Sequence, residues 1–311
     1  MSIDEISRTI KAEAFRLGFS AVGFAEAAPV EAYVADGYRR WIAEGRQGEM
    51  AYLENNLDKR LDPTLLMPSA RSIISLALNY YPRRRLSSSQ YQFAYYAYGK
   101  DYHDVIKMKL QELVEHINQS VQLDPAPTFK LCVDTVPILE RYWAVKAGLG
   151  WIGKNTNLII PHAGSFFFLA EIITDLELSY NTPLPSHCGK CTRCIEACPQ
   201  HALSPYSLDA GKCLSYLTIE HRGEWDTNVS DSTPYIYGCD CCQLACPYNN
   251  HATPTVIPEL EPSEAFLSMR PSDWHNLSVE QYRTLFKGSA VKRAKYDGLL
   301  RNINSKKSSE Q

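Results

Sequence analysis

No stretch of this 311-residue sequence is apolar for the length a membrane-spanning helix needs. The opening MSIDEISRTIKAEAF carries charges where a secretory signal would need an unbroken apolar run, so the chain is expected to act in the cytoplasm. There is no G-x-G-x-x-G and no G-x4-G-K-[ST], and nicotinamide or ATP chemistry therefore lacks its usual phosphate-cradling loop. Positive charge is not in excess: 32 Lys and Arg stand against 35 Asp and Glu, a net charge of -3. Any nucleic-acid contact must come from a local basic patch. No coiled-coil seam is visible, and a monomer is expected.

Ten cysteines are present, and the expected reducing compartment makes ligation a better use for them than disulfides. Their spacing decides which ligand. Cys188-Gly-Lys-Cys191-Thr-Arg-Cys194-Ile-Glu-Ala-Cys198-Pro199 is a full C-x2-C-x2-C-x3-C-P run, the pattern of two-cluster bacterial ferredoxins. Three thiolates so spaced wrap one face of a [4Fe–4S] cubane, and the fourth, stopped by proline, points to a neighbouring cluster. One run therefore predicts a second. Cys239-x2-Cys242-x3-Cys246-Pro247 supplies most of it, but Ile236 stands where the remaining ligand would be. Cys213 is the available substitute. The sets then become Cys188, Cys191, Cys194 and Cys246 for one cluster and Cys198, Cys213, Cys239 and Cys242 for the other. Cys132 and Cys241 are spare, although Cys241 is placed to compete with Cys242. Two zinc sites are the competing reading, but zinc ribbons need neither the crossed fourth cysteine nor the proline.

Upstream, apolar periodicity predicts a helix through Ile3, Ile6, Ile10, Ala14 and Leu17 stopped at Gly18, and another through Ile106, Leu110, Leu113, Ile117 and Val121. Helical patches are expected near residues 31–44, 48–55 and 138–147. Strand-length runs fall at residues 21–24, 72–78, 128–133, 158–160 and 166–174. The fold class is α+β: an N-terminal mixed-sheet domain over residues 1–180, a ferredoxin-like double [4Fe–4S] module over 181–255, and a short C-terminal helical tail with a basic segment over 256–311.

Three longer motifs carry a resemblance. Cys132-Val-Asp134-Thr-Val-Pro-Ile-Leu-Glu140-Arg141, Gly148-Leu-Gly-Trp-Ile-Gly153-Lys-Asn155-Thr156-Asn157 and Tyr237-Gly-Cys239-Asp-x-Cys242-Gln243 resemble the epoxyqueuosine reductases. Gly48-Glu-Met-Ala-Tyr52-Leu53, Asp101-Tyr102-His103 and Leu217-Thr-Ile-Glu220 extend the likeness. The resemblance implies a cobalamin-dependent enzyme that removes the epoxide oxygen of epoxyqueuosine at the wobble position of tRNA, with the N-terminal domain holding cobalamin. Two clusters would pass it electrons from an external donor. Many members of that family continue into a helical-repeat segment with no counterpart in this sequence.

By the same resemblance Asp134 would protonate the departing oxygen, and burial against the corrin is expected to raise its pKa. From pattern alone, Asp134 or Thr135 would instead cap the helix near Ile138. Corrin contacts are expected from Arg60, Asp134, Asn155, Thr156, Asn157, Leu158 and Ser165, where a Gly-rich turn offers amides and small polar groups, although such glycines more often only stop a helix. His103 is a candidate corrin or tRNA contact, against the commoner structural role of a single histidine. For tRNA, the cationic candidates are Arg222, Lys292, Arg293, Lys295 and Arg301, in a basic end that runs on to Lys307, with Tyr216 or Trp225 as stacking surfaces. Arg83, Arg84 and Arg85 read as a solvated face. A dehalogenase-like corrinoid reductase and a ferredoxin-type electron carrier remain the alternatives.

Overall fold

The computed structural model describes residues 1–225 and 233–306, so Lys307 lies outside the described residues. Its frame is a four-stranded sheet in the order Ala21–Glu26, Ser72–Asn79, Phe167–Thr174, Phe129–Cys132. Every neighbouring pair in it is antiparallel. The expected mixed sheet is therefore corrected: parallel pairing occurs instead between the short strands Tyr235–Tyr237 and Gln92–Phe93. Strand direction depends on the path of the intervening chain, which periodicity does not encode.

Both faces of the sheet are covered, as its nearly continuous apolar strands require. Along Ser72–Asn79 the side chains alternate: Ile74, Leu76 and Leu78 join one core and Ile73 and Ala77 the other. The first core receives Ile6 and Ile10 of the helix Ile3–Arg16 and Ile106, Leu110 and Leu113 of the helix Tyr102–Ser120. Ser2 caps the first helix in a capping box with Glu5, and Gly18, at φ 90°, turns the chain where a side chain would be strained. On the opposite face, Trp143 and Ala144 of the helix Glu140–Lys146 pack with Ala35 of the helix Ala32–Ala43.

The segments expected to divide at residues 180 and 255 share one core. Ile236, Tyr237, Trp274, Phe286, Leu299 and Ile303 belong to the same buried cluster as Ile6 and Leu110. Residues 48–55, expected as helix, form only the short 3-10 turn Ala51–Leu53. Arg83, Arg84 and Arg85 are all exposed, as a solvated face requires, and Arg84 also pairs with Glu264. Among the described residues no helix is long and apolar enough to cross a membrane.

Candidate functional site

Asp134 emerges two residues after the strand Phe129–Cys132 and adopts φ 50°, a left-handed conformation uncommon outside glycine. The Thr135 N–H donates back to the Val133 carbonyl, so Asp134 occupies the centre of a three-residue turn. It caps no helix. The helix begins at Glu140, its N-cap Leu139 makes no side-chain cap bond, and Glu140 Oε1 instead accepts the Asp134 N–H at 2.7 Å.

Two consecutive residues opening the helix Tyr102–Ser120 reach the Asp134 carboxylate. The Tyr102 hydroxyl donates to Oδ2 at 2.7 Å, and His103 Nε2 lies 3.3 Å from the same oxygen. The other ring nitrogen of His103 lies 2.7 Å from Asp101 Oδ1. These bonds, Asp101 first and Asp134 second, push the imidazole up to about 9 and give it a proton at neutral pH. In return His103, then Tyr102, holds the Asp134 carboxyl below its usual range despite the opposing effect of burial. The carboxylate faces a cation and a hydroxyl donor. Its side chain keeps 58% of its surface accessible, so an arriving molecule can reach the carboxylate.

The basic segment acts on this carboxylate through the charge of Arg293. Arg293 forms a two-pronged ion pair with Glu220, at 2.8 and 2.7 Å, lies over the Tyr52 ring, and its charge acts on both Tyr52 and Asp134. Lys292 and Lys295 are exposed beside it. Arg222 and Arg301 spend their guanidinium groups on backbone: Arg222 on the carbonyls of Ile219 and Arg293, Arg301 on those of Leu217, His221 and Gly223. Tyr216 does not present its ring for stacking. It is 7% exposed, and its hydroxyl accepts the Glu49 N–H. Trp225 lies under Arg301 and donates to the Leu217 carbonyl.

The cysteines gather as two groups. Cys188, Cys191, Cys194 and Cys246 line one cavity of about 310 Å³, walled also by Lys154, Asn155, Ile159 and Tyr248. Burial, then repulsion from Cys246 and Cys188, raises the Cys194 thiol; burial and the thiols of Cys188 and Cys191 do the same to Cys246. In the second group burial, with Cys198 and Cys241 as neighbours, raises Cys213, and burial, with Cys213 and Cys198 among its neighbours, raises Cys242. Cys239 is raised mainly by its hydrogen bond with Cys241 and by burial. Thiols crowded at such cost suit a cationic centre that takes them as thiolates. Among the described residues no three His, Cys, Asp or Glu side chains are drawn together as tightly as a single ion requires. A cavity ringed by four sulfurs is the shape a larger iron–sulfur cluster fills. The Ala202 N–H donates to Cys198 Sγ at 3.3 Å, a bond of the kind that tunes such clusters.

Between the two regions lies the Gly-rich turn. Thr156, at φ 64°, offers its carbonyl to Arg141 at 2.6 Å, and Arg141 and Arg60 both act on the Tyr38 hydroxyl. Arg60 keeps a buried Nε without a partner while its Nη2 donates to the Tyr52 carbonyl at 3.3 Å. An unspent buried donor beside a strained polar turn fits the amide-bearing rim of a corrin. Asn155 faces the cysteines, with Nδ2 3.4 Å from the Cys242 carbonyl, and its Oδ1 accepts the Asn157 N–H. Leu158 is 5% exposed within the second core. Ser165 is bound to Gln243 and Asn249 of the cysteine module.

The profile described as "Epoxyqueuosine reductase QueG, DUF1730" matches residues 60–135, and that of a "4Fe-4S double cluster binding domain" matches residues 187–249. A curated epoxyqueuosine reductase from Cellulophaga algicola is 45% identical over 300 residues, covering 96% of this chain and 97% of its own. This chain belongs to the epoxyqueuosine reductase family. A second relative of that name, from Leadbetterella byssophila, is also 45% identical over 96% of this chain and 97% of its own. A crystal structure of an epoxyqueuosine reductase with an epoxyqueuosine-modified tRNA stem loop superposes with TM-score 0.86 and 29% identity, over 97% of this chain and 80% of that one.

Sequence reasoning within the family motifs reached Asp134 and His103 but gave no role to Tyr102, Asp101, Glu140 or Arg141. The signal lay in the motifs themselves: Tyr102 adjoins His103, Asp101 lies two residues from it, and Glu140 and Arg141 are six and seven residues from Asp134.

Proposed function

We propose that this protein reduces the epoxide of epoxyqueuosine in tRNA to give queuosine, in the cytoplasm, with cobalamin and two [4Fe–4S] clusters as cofactors. What supports this reading is the Asp134 carboxylate bonded to Tyr102 and His103 and within reach of the Arg293 charge, in a chain of this family. The reaction consumes two electrons and two protons: both C–O bonds of the epoxide break, a C=C bond forms and water leaves.

The residues that would hold cobalamin are Arg60 and the turn of Asn155, Thr156 and Asn157, with Leu158 supplying apolar support behind it. Cobalamin supplies, when bound, a low-potential metal centre able to open an epoxide. Asn155, bonded to the Cys242 backbone, sets the turn against the second cysteine group, which suits one-electron delivery from that side. The chain's own acid is the Asp134, His103 and Tyr102 cluster. His103 stores a proton at neutral pH, 3.3 Å from Asp134 Oδ2, and Asp134 passes it to the oxygen as negative charge builds there. Water exclusion over Asp134 would favour its protonated form at that moment. Lys292, Arg293 and Lys295 serve the phosphates of the RNA, and Arg222 and Arg301 stiffen the segment that presents them.

The test is anaerobic reconstitution with iron, sulfide and cobalamin, metal counting, and incubation of the reduced protein with epoxyqueuosine-containing tRNA. About eight irons per chain, bound corrin and queuosine in the nuclease digest are expected. Iron without corrin or conversion would reduce the protein to an electron carrier, and two tightly held zinc ions would remove the clusters from the reading.

A further inference from the structure

Glu140 has no part in the chemistry above, yet the turn that carries Asp134 depends on it. Asp134 sits at φ 50°, where a residue with a side chain is held only by its surroundings. Two contacts supply that hold through the backbone: the Thr135 N–H on the Val133 carbonyl, and the Asp134 N–H on Glu140 Oε1 at 2.7 Å. The second is a hydrogen bond to an ionisable acceptor fixed at the first residue of the helix Glu140–Lys146, which packs on the sheet through Trp143 and Ala144. Three side-chain positions on this helix thus link sheet packing to the one amide that defines the turn.

We propose that Glu140 is the positioning residue of this site: by accepting the Asp134 amide it latches the acid in its left-handed turn, and its protonation loosens the latch. The inference rests on the reading of Asp134 as proton donor. Burial, then the Asp134 charge, pushes Glu140 up to about 7. The other groups that face it are Arg141 and His103, which favour its charged form, and, from the sheet, Glu171 and Cys132. Glu171 is fully buried, bonded to Ser75 through one oxygen and unpartnered at the other, and burial and Glu140 hold its carboxyl well above the usual range. Arg141, His103 and the Asp134 amide favour charge on Glu140, whereas Ser75 alone bonds the Glu171 carboxyl. A charged acceptor makes a stronger bond to an amide than a neutral one, and acidification weakens the latch.

The test compares the reconstituted full chain with its Glu140→Gln and Glu140→Ala variants by amide hydrogen exchange at residues 133–139 and by turnover. Glu140→Gln keeps an acceptor oxygen and fixes its charge. It should keep the Asp134 amide protected and lose the dependence of that protection on pH around 7. Glu140→Ala should raise exchange at Asp134 about tenfold and lower kcat by a similar factor, leaving KM for tRNA unchanged. Unchanged protection in Glu140→Ala would overturn the latch, and so would a Gln variant as defective as the Ala one. Exchange is read without substrate, so a wild-type protein inactive on epoxyqueuosine would defeat the functional reading while the latch was still judged on protection.

Discussion

The Tyr102 hydroxyl lies 2.7 Å from Asp134 Oδ2 because its ring is clamped in a stack, 4.3 Å from Phe168 on one side and 4.1 Å from His103 on the other. Phe168 belongs to the central sheet, so the donor is aimed by the core itself. Replacing Tyr102 with Phe leaves the stack and removes only the hydrogen bond. Asp134 should then titrate higher, as a bond to its charged form is lost. An Asp134 midpoint unmoved in carboxyl NMR would show that this bond does not hold the carboxylate down.

Asp134→Asn keeps the shape of the turn and removes the acid. Iron content and corrin binding should be retained while turnover falls about 10²–10⁴-fold, the usual worth of a placed general acid. Full turnover in this variant would remove Asp134 as the donor.

His103 should titrate near 9 in the folded protein, against 6.5 for the free side chain. Its folded pKa is raised, so the stability it contributes is fully present below 6.5 and is lost as pH rises through 9. Thermal melts of the wild type across that window should decline more steeply than those of His103→Gln. Parallel curves would mean the imidazole is neutral beside Asp134.

Cys213 and Cys241 offer the clearest test of the cluster ligands. Cys213→Ser should reconstitute with about four irons in place of about eight, and Cys241→Ser should keep about eight. The reverse result would move the ligand role to Cys241, which hydrogen-bonds Cys239.

The basic segment separates into two kinds of cation. Lys292→Ala or Lys295→Ala should weaken tRNA binding and flatten its salt dependence by roughly 0.7 per residue in the log–log slope. Arg301→Ala, which strips donors from three carbonyls, should instead lower stability by about 2 kcal/mol in denaturant melts. A salt slope unchanged in both lysine variants would place the RNA elsewhere.

The cysteine runs were legible because cluster ligation is largely local: Cys188, Cys191 and Cys194 are close in sequence, and Pro199 ends the run that turns Cys198 away. The strands at residues 72–78 and 166–174 were legible for a similar reason, since burial on both faces writes a continuous apolar run. Strand direction was not, nor was the shared core of residues 6–303, because both depend on where distant segments meet.

The sequence by itself determined the family motifs and the cysteine spacing, because both are properties of short stretches of chain. Tertiary structure decided in what state their residues stand. Asp134 became a carboxylate held by Tyr102 and His103, residues 32 and 31 positions away, and its turn became fixed by the acceptor at Glu140. Ionisation and backbone strain answer to the field and contacts of the folded neighbourhood, and folding alone assembles that neighbourhood.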